Sequence, residues 1–186
     1  MRNHTSTVWA CDLLQTYDLF FRAVFILVLI EVHSRRIIHV SVTRNPTDFW
    51  LARQLREATP FGQTPRYLIH DRGSNYGETF AQIADSSGIT ILKTPYRAPK
   101  ANAVCERFMG SLRRECLDHV LILNERHVQQ IVKEYVAYYN RARPHQGIGQ
   151  RIPEATEAVP IEDRLLGTVV GRPILGGLHH DYRRAA

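Results

Sequence analysis

Cysteine is scarce and poorly spaced. The three present, Cys11, Cys105 and Cys116, form no CxxC pair. That argues against a disulfide framework and a structural zinc site, and it fits a reducing cytosol. Long apolar runs are also lacking. The longest, Ala23 to Ile30, falls far short of the roughly 20 residues that a membrane-spanning helix needs. It reads as a buried strand. The opening MRNHTSTVW has no apolar stretch of signal-peptide type. Internal repeats and low-complexity tracts are missing. So is the sparse hydrophobicity of disordered chains, since 44% of residues are apolar and 23% charged. A chain of 186 residues suffices for one domain with its own core and a short appendage. Basic charge is what the sequence has in excess: 24 Lys and Arg against 18 Asp and Glu, a net charge of +6. That favours an anionic partner such as nucleic acid, although many basic proteins bind none.

Patterning predicts three consecutive strands, Thr7 to Leu14, Ala23 to Val32 and Arg36 to Val42, with antiparallel pairing across short connections. A helix follows over 47–58. Then come a short strand at 67–69 running into His70-Asp71-Arg72-Gly73, a helix over 79–86, and a strand over 89–92. The order βββαβαβ is that of a mixed α/β domain. After a Pro-bracketed loop at 94–100, a helix is predicted from about Asn102, an N-cap candidate, to Asp118. Another starts near Asn124 and ends before Pro144. It carries Val128, Ile131, Val132, Tyr135, Val136 and Tyr139 at helical spacing. Residues from Pro153 onward read as a loosely attached tail with a small hairpin near 168–178. His179 and His180 read as exposed there.

Three acids stand where structure and chemistry coincide. Asp12 lies on the first strand among apolar neighbours, where an unpartnered acid is costly. Asp71 ends the short strand, and Glu106 sits in the first turn of the helix opened by Asn102. The spacings are 59 and 35 residues. A lone Asp after a strand is more often a turn-former or a cap, and Asp18, Glu31, Asp48, Asp85, Glu115 and Asp118 compete. At about 100° per residue, Val104, Cys105, Phe108, Met109, Leu112 and Cys116 form the core face of the Glu106 helix. Glu106, Gly110 and Arg113 share an exposed stripe, flanked by Arg107 and Arg114. Either Gly110 lets a DNA backbone approach while Arg113 meets a phosphate, or the stripe is a solvated face with a tolerated glycine. Arg97 and Lys100 in the preceding loop invite the same two readings. The cysteines read as core fillers, and His145 as a hydrogen-bonding residue.

In four segments, WACD at 9–12, HDRGSNYG at 70–77, TPYRAPKANAVCERFMGSLRREC at 94–116 and YYNRARPHQGIG at 138–149, the chain resembles a known family. This is the D…D…E catalytic core of integrases and insertion-sequence transposases of the retroviral-integrase superfamily. The resemblance covers roughly residues 7 to 155. It implies an RNase H-like α/β fold, a mixed five-stranded sheet flanked by helices. Residues 1–155 would form the catalytic core and 156–186 a C-terminal tail. It implies DNA cleavage and strand transfer with Asp12, Asp71 and Glu106 as catalytic, metal-ligating residues for Mg²⁺ or Mn²⁺. Arg97, Lys100, Arg107, Gly110, Arg113 and Arg114 would contact DNA. In-line displacement at phosphorus explains the carboxylates: two hard cations roughly 4 Å apart stabilise the attacking and leaving oxygens together. Crowded acids repel, so at least one pKa should rise without metal. The implied partners are the element ends, a target duplex and further copies of the chain, in a prokaryotic cytosol. Such transposases usually carry a helix-turn-helix before the core. Here the sequence begins almost at the first strand, so the expectation is a core alone, a truncated remnant or one product of a split reading frame, with end recognition coming from elsewhere, a separate helix-turn-helix protein being one source. A nuclease without joining activity and a non-catalytic DNA-binding remnant are the alternatives.

Overall fold

The computed structural model describes residues 8–60, 63–94, 102–154 and 168–184. Strands β1 (Val8–Tyr17), β2 (Ala23–Glu31) and β3 (Ile37–Thr43) open the chain. Helix α1 (Asp48–Ala58), strand β4 (Tyr67–His70), helix α2 (Glu78–Ser86) and strand β5 (Thr90–Lys93) follow, so the predicted βββαβαβ order stands. Helices α3 (Ala103–Glu115) and α4 (Glu125–Arg141) come next, then the hairpin β6 (Val169–Ile174) and β7 (His179–Arg184). The main sheet has five strands in the order β3-β2-β1-β4-β5. β1–β2 and β2–β3 pair antiparallel, β1–β4 and β4–β5 parallel.

Alternation of side chains across the pleat divides the core between the two faces. From β2, Val24, Ile26, Val28 and Ile30 pack with Phe108, Leu112, Tyr135 and Tyr139 of α3 and α4. Leu27 and Leu29 face the other way, toward Leu51, Leu55, Phe80 and Ala84 of α1 and α2. A central strand covered on both faces is apolar throughout, which is why Ala23 to Ile30 carries no polar residue. Each such side chain contributes roughly 1.5–3 kcal/mol of burial.

Polar side chains pin the layers together. Asp48, at the start of α1, accepts hydrogen bonds from the Gly77, Thr79 and Phe80 amides at 2.8–2.9 Å and so caps α2. A Cβ on Gly77 would come within 2.7 Å of that carboxylate, so the close approach requires glycine. The Asn140 amide of α4 accepts from the Ile37 N–H and donates to the Ile37 carbonyl, each at 2.9 Å.

Several boundaries differ from the sequence reading. β1 runs on to Tyr17, because Gln15, Thr16 and Tyr17 find ladder partners in Phe25, Val24 and Ala23. α3 stops at Glu115, and a 3-10 turn takes up Leu117–His119. The tail hairpin sits against α4 rather than hanging free. The Leu175 amide donates to Glu134 at 2.6 Å. His179 is partly buried and stacks on Tyr138 with 5.0 Å between ring centroids, while His180 is exposed as expected.

Candidate active site

Strand register brings the two aspartates together. β1 and β4 run parallel with Ala10 opposite Ile69. Two residues beyond that pair stand Asp12, midway along β1, and Asp71, just past the end of β4. Asp12 is the cross-strand partner of Val28 and therefore faces the α3 side of the sheet. Parity puts Asp71 on the same side, with Ile69 between it and Tyr67. Glu106 lies exposed in the first turn of α3, above that edge.

The three acids share one electrostatic field. Burial pushes the Asp12 carboxyl up to about 6, and the Asp71 and Glu106 charges add to the rise against a hydrogen bond from the Leu13 amide. The rise expected of crowded acids is present. Asp12 Oδ1 accepts from the Leu13 N–H at 2.8 Å, and Oδ2 accepts from the Asn102 amide at 3.1 Å. Asn102 thus precedes α3 without capping it by side chain. Its amide turns to the Asp12 carboxylate, a stronger acceptor for its N–H groups. Its Oδ1 is buried, with no hydrogen-bond partner among the described residues.

Asp71 is held by its own loop, with the Gly73 amide donating to Oδ1 at 3.0 Å. The fully buried His70 stacks on Tyr76, ring centroids 4.3 Å apart, and meets Phe80 edge-on. Its Nδ1–H donates to the Asp71 carbonyl, and burial lowers its pKa. The HDRGSNYG segment is therefore a packed turn that fixes the end of β4. Sequence reasoning singled out Asp71 alone; the aromatic spacing of His70, Tyr76 and Phe80 was the unused signal.

Four of the six competing acids have structural occupations. Asp18 pairs with Arg44 at 2.7 Å and Arg22 at 2.9 Å. Glu115 accepts from Arg143 Nε and the Tyr135 hydroxyl, each at 2.8 Å. Glu31 accepts from the Ser34 hydroxyl, and Asp48 caps α2. Cys11, Cys105 and Cys116 are buried free thiols, each with its pKa raised chiefly by burial. His145 is buried, donates from Nε2 to the Tyr139 carbonyl at 3.0 Å and accepts from Arg143 at Nδ1, the structural role expected of it.

The cations predicted to meet DNA divide between different surfaces. Arg113 donates to the Gln15 carbonyl at 2.6 Å, tying α3 to β1. Arg107 and Arg114 lie a quarter-turn away and line a groove with Arg35 and Arg143. A Cβ on Gly110 would come within 3.0 Å of Arg114 Nη1, so this guanidinium lies back over the glycine. Arg97 and Lys100 fall outside the described residues.

Oxygen donors of this kind suit a hard divalent cation. Among the described residues, no three His, Cys, Asp or Glu side chains are grouped tightly enough to hold a metal by themselves. Mg²⁺ typically takes one or two carboxylates and completes its shell with water and substrate phosphate. Asp12 on β1 and Asp71 just past β4, with the unpartnered Asn102 carbonyl oxygen close by, meet that requirement. No helix among the described residues is long and apolar enough to cross a membrane.

Residues 87–153 match the integrase core domain. The chain is 24% identical over 147 residues to the uncharacterized 31.7 kDa protein of insertion element IS407 from Burkholderia multivorans, covering 78% of this chain and 53% of that protein. It is 28% identical over 142 residues to the transposase for insertion sequence element IS904 from Lactococcus lactis, covering 72% and 54%. The chain thus spans about half the length of these relatives. Among solved structures, the HTLV-2 integrase catalytic core domain in complex with magnesium superposes with a TM-score of 0.63 at 13% identity, covering 80% of this chain and 93% of that one. A simian T-cell lymphotropic virus intasome gives a TM-score of 0.66 at 15% identity, covering 95% and 66%. The fold is that of the retroviral integrase core, mixed α/β with a five-stranded sheet flanked by helices, as predicted. Family match, insertion-element relatives and fold point the same way: residues 87–153 are similar to the integrase core domain, and the chain folds as a retroviral integrase core does.

Proposed function

We propose that the chain is the catalytic core of an insertion-element transposase, cutting and joining DNA phosphodiesters with divalent cations. The observation that carries this reading is the convergence on Asp12. It lies two residues past Ala10, the partner of Ile69 on the adjacent parallel strand that leads into Asp71, and its pKa, raised chiefly by burial, is raised further by the Asp71 and Glu106 charges. Asp12 and Asp71 would hold one Mg²⁺ or Mn²⁺, and Glu106 would complete a second site with DNA present. Such ions, when bound, polarise the scissile phosphate and stabilise the attacking and leaving oxygens. The chain's own residues do the positioning. The Leu13 and Asn102 N–H groups orient Asp12, the Gly73 amide orients Asp71, and the His70–Tyr76–Phe80 stack fixes the β4 end. Asn102 Oδ1 is available to accept from a water at the site.

Joining two DNA ends calls for more than one copy of the chain. The HTLV-2 core was solved in dimeric and trimeric forms, and we take a multimer on DNA, in a bacterial cytosol, as the working state. Residues 1–155 act as the core, with the tail hairpin as its appendage.

The test is an Mn²⁺-dependent nicking and joining assay on a short duplex. The wild type should yield both products. Glu106→Gln, which keeps size but loses charge, should abolish both while duplex affinity stays equal or rises slightly. Mn²⁺ should raise the melting temperature of the wild type but not of Asp71→Asn. Equal shifts would dismiss the assignment of Asp71. Cutting without joining would support the nuclease reading, and binding without product the remnant.

A further inference from the structure

The exposed side of α3 has two flanks. Glu106 and Arg113 project from one. From the other, about 100° around the axis, Arg107 and Arg114 project into a groove of about 590 Å³. Arg35, from the β2–β3 turn, and Arg143, beyond α4, enter the same groove, whose floor includes Phe108 and Tyr139. Four guanidinium groups thus meet in one concavity, and among the described residues only Arg143 has a carboxylate partner, that of Glu115. Among the described residues nothing gives the Arg35, Arg107 or Arg114 guanidinium a hydrogen bond, and Arg35 Nε is buried without one. Burial and the nearby Arg107 charge both lower the Arg35 pKa. Arg35 is itself held at a left-handed φ of 66°. Gly147 lies between the two cations: a Cβ there would stand 3.9 Å from Arg107 Nη1 and equally far from Arg35 Nε.

Like charges gathered around an open concavity are destabilising unless an anion joins them. Planar guanidinium forks match phosphate oxygens. We propose that this groove is a phosphodiester subsite, holding a backbone phosphate of a DNA strand that crosses α3 beside the carboxylates. The proposal rests on the DNA-processing reading above and adds a second anchoring point that uses none of the three acids. Gly110 stands on the crest between the two flanks with the Arg114 guanidinium lying over it, so a strand passing from Glu106 to the groove meets a cation there rather than a bulky or acidic side chain. The groove opens to solvent beside the exposed Gly147, which admits a polymer rather than enclosing a small ion.

Two variants test this. Arg35→Gln should flatten the log–log salt dependence of duplex affinity by about 0.9, the value for one phosphate contact. Gly147→Asp places a carboxylate between Arg35 and Arg107. It should raise the melting temperature while weakening duplex binding about tenfold, as expected for one charge-assisted contact. A folding defect lowers both quantities and cannot imitate that pair of signs. If the wild type binds and nicks the duplex while both variants keep its affinity and salt slope, the subsite is refuted and the enzymatic reading stands. If the wild type neither binds nor nicks, both fail. If inorganic phosphate raises the melting temperature of the wild type but not of Gly147→Asp, and duplex binding is unchanged in both variants, the groove is a small-anion site and the proposal is overturned.

Discussion

Two sets of carboxylates in this fold face opposite electrostatic circumstances. Asp18, Asp48 and Glu115 are each met by cations, backbone amides or a hydroxyl. Burial alone would raise their pKa values, yet these partners bring all three below the ordinary carboxylate range. Asp12 has two N–H donors and two acidic neighbours, and its pKa is raised to about 6. The first set holds elements together. The second is an unfavourable arrangement that the surrounding fold sustains, which is typical of a site built to receive positive charge.

Single substitutions should therefore act with opposite signs in the two sets. The largest effect is expected for Asp48→Ala, which strips three amides at the start of α2 of their acceptor. A loss of about 2 kcal/mol is expected by urea unfolding near neutral pH. Because the Asp48 pKa is lowered on folding, its contribution is present above the ordinary carboxylate range. It disappears as the pH falls through the folded-state value, so wild type and variant should converge in acid. Full stability of Asp48→Ala at pH 7 would mean the cap is ornamental.

Asp12→Asn should go the other way, gaining about 1–2 kcal/mol at pH 7.5 in EDTA after allowance for partial exposure. A raised pKa destabilises once the pH exceeds it, so the gain should shrink as the pH falls through about 6. Rotation of the Asn102 amide would offer its unpartnered oxygen to the new side chain. A destabilised Asp12→Asn across the whole pH range would remove the contrast between the two sets.

The smallest effect is expected for Arg113→Ala. It removes one hydrogen bond between α3 and the edge of β1 and should cost about 0.5–1 kcal/mol. Because this guanidinium is already engaged with Gln15, the duplex salt slope should move less than in Arg35→Gln. A larger change in Arg113→Ala would place the main phosphate contact on the Glu106 flank.

Much of the fold was legible in the sequence because the sheet is amphipathic in a simple way. The uninterrupted apolar run of β2 could only be a strand covered on both faces, and the helical spacing from Val128 to Tyr139 could only be one helix face. The three acids were legible for a different reason: Asp12 is an acid among apolar strand residues, and Asp71 and Glu106, ordinary as a turn and a helix-start residue, gain meaning from the four segments that resemble the integrase and transposase core. Asn102 takes the N-cap position as read, but its side chain serves Asp12 instead, because a cap and a ligand to a distant carboxylate look alike in one dimension. Which of the two it becomes depends on what stands opposite.

The sequence by itself determined the order of elements, the faces of α3 and α4, and the acids that lie out of keeping with their neighbours. These follow from local periodicity and from the cost of burying charge, both written along the chain. Only the tertiary structure decided that β1 and β4 pair so that Asp12 and Asp71 come close enough to feel each other's charge, and that Asp48 serves a helix about thirty residues away. It also decided that Arg35, Arg107, Arg114 and Arg143 meet in one groove. Those are matters of strand register and packing between distant segments, set by which apolar faces close on one another, and no local pattern encodes them.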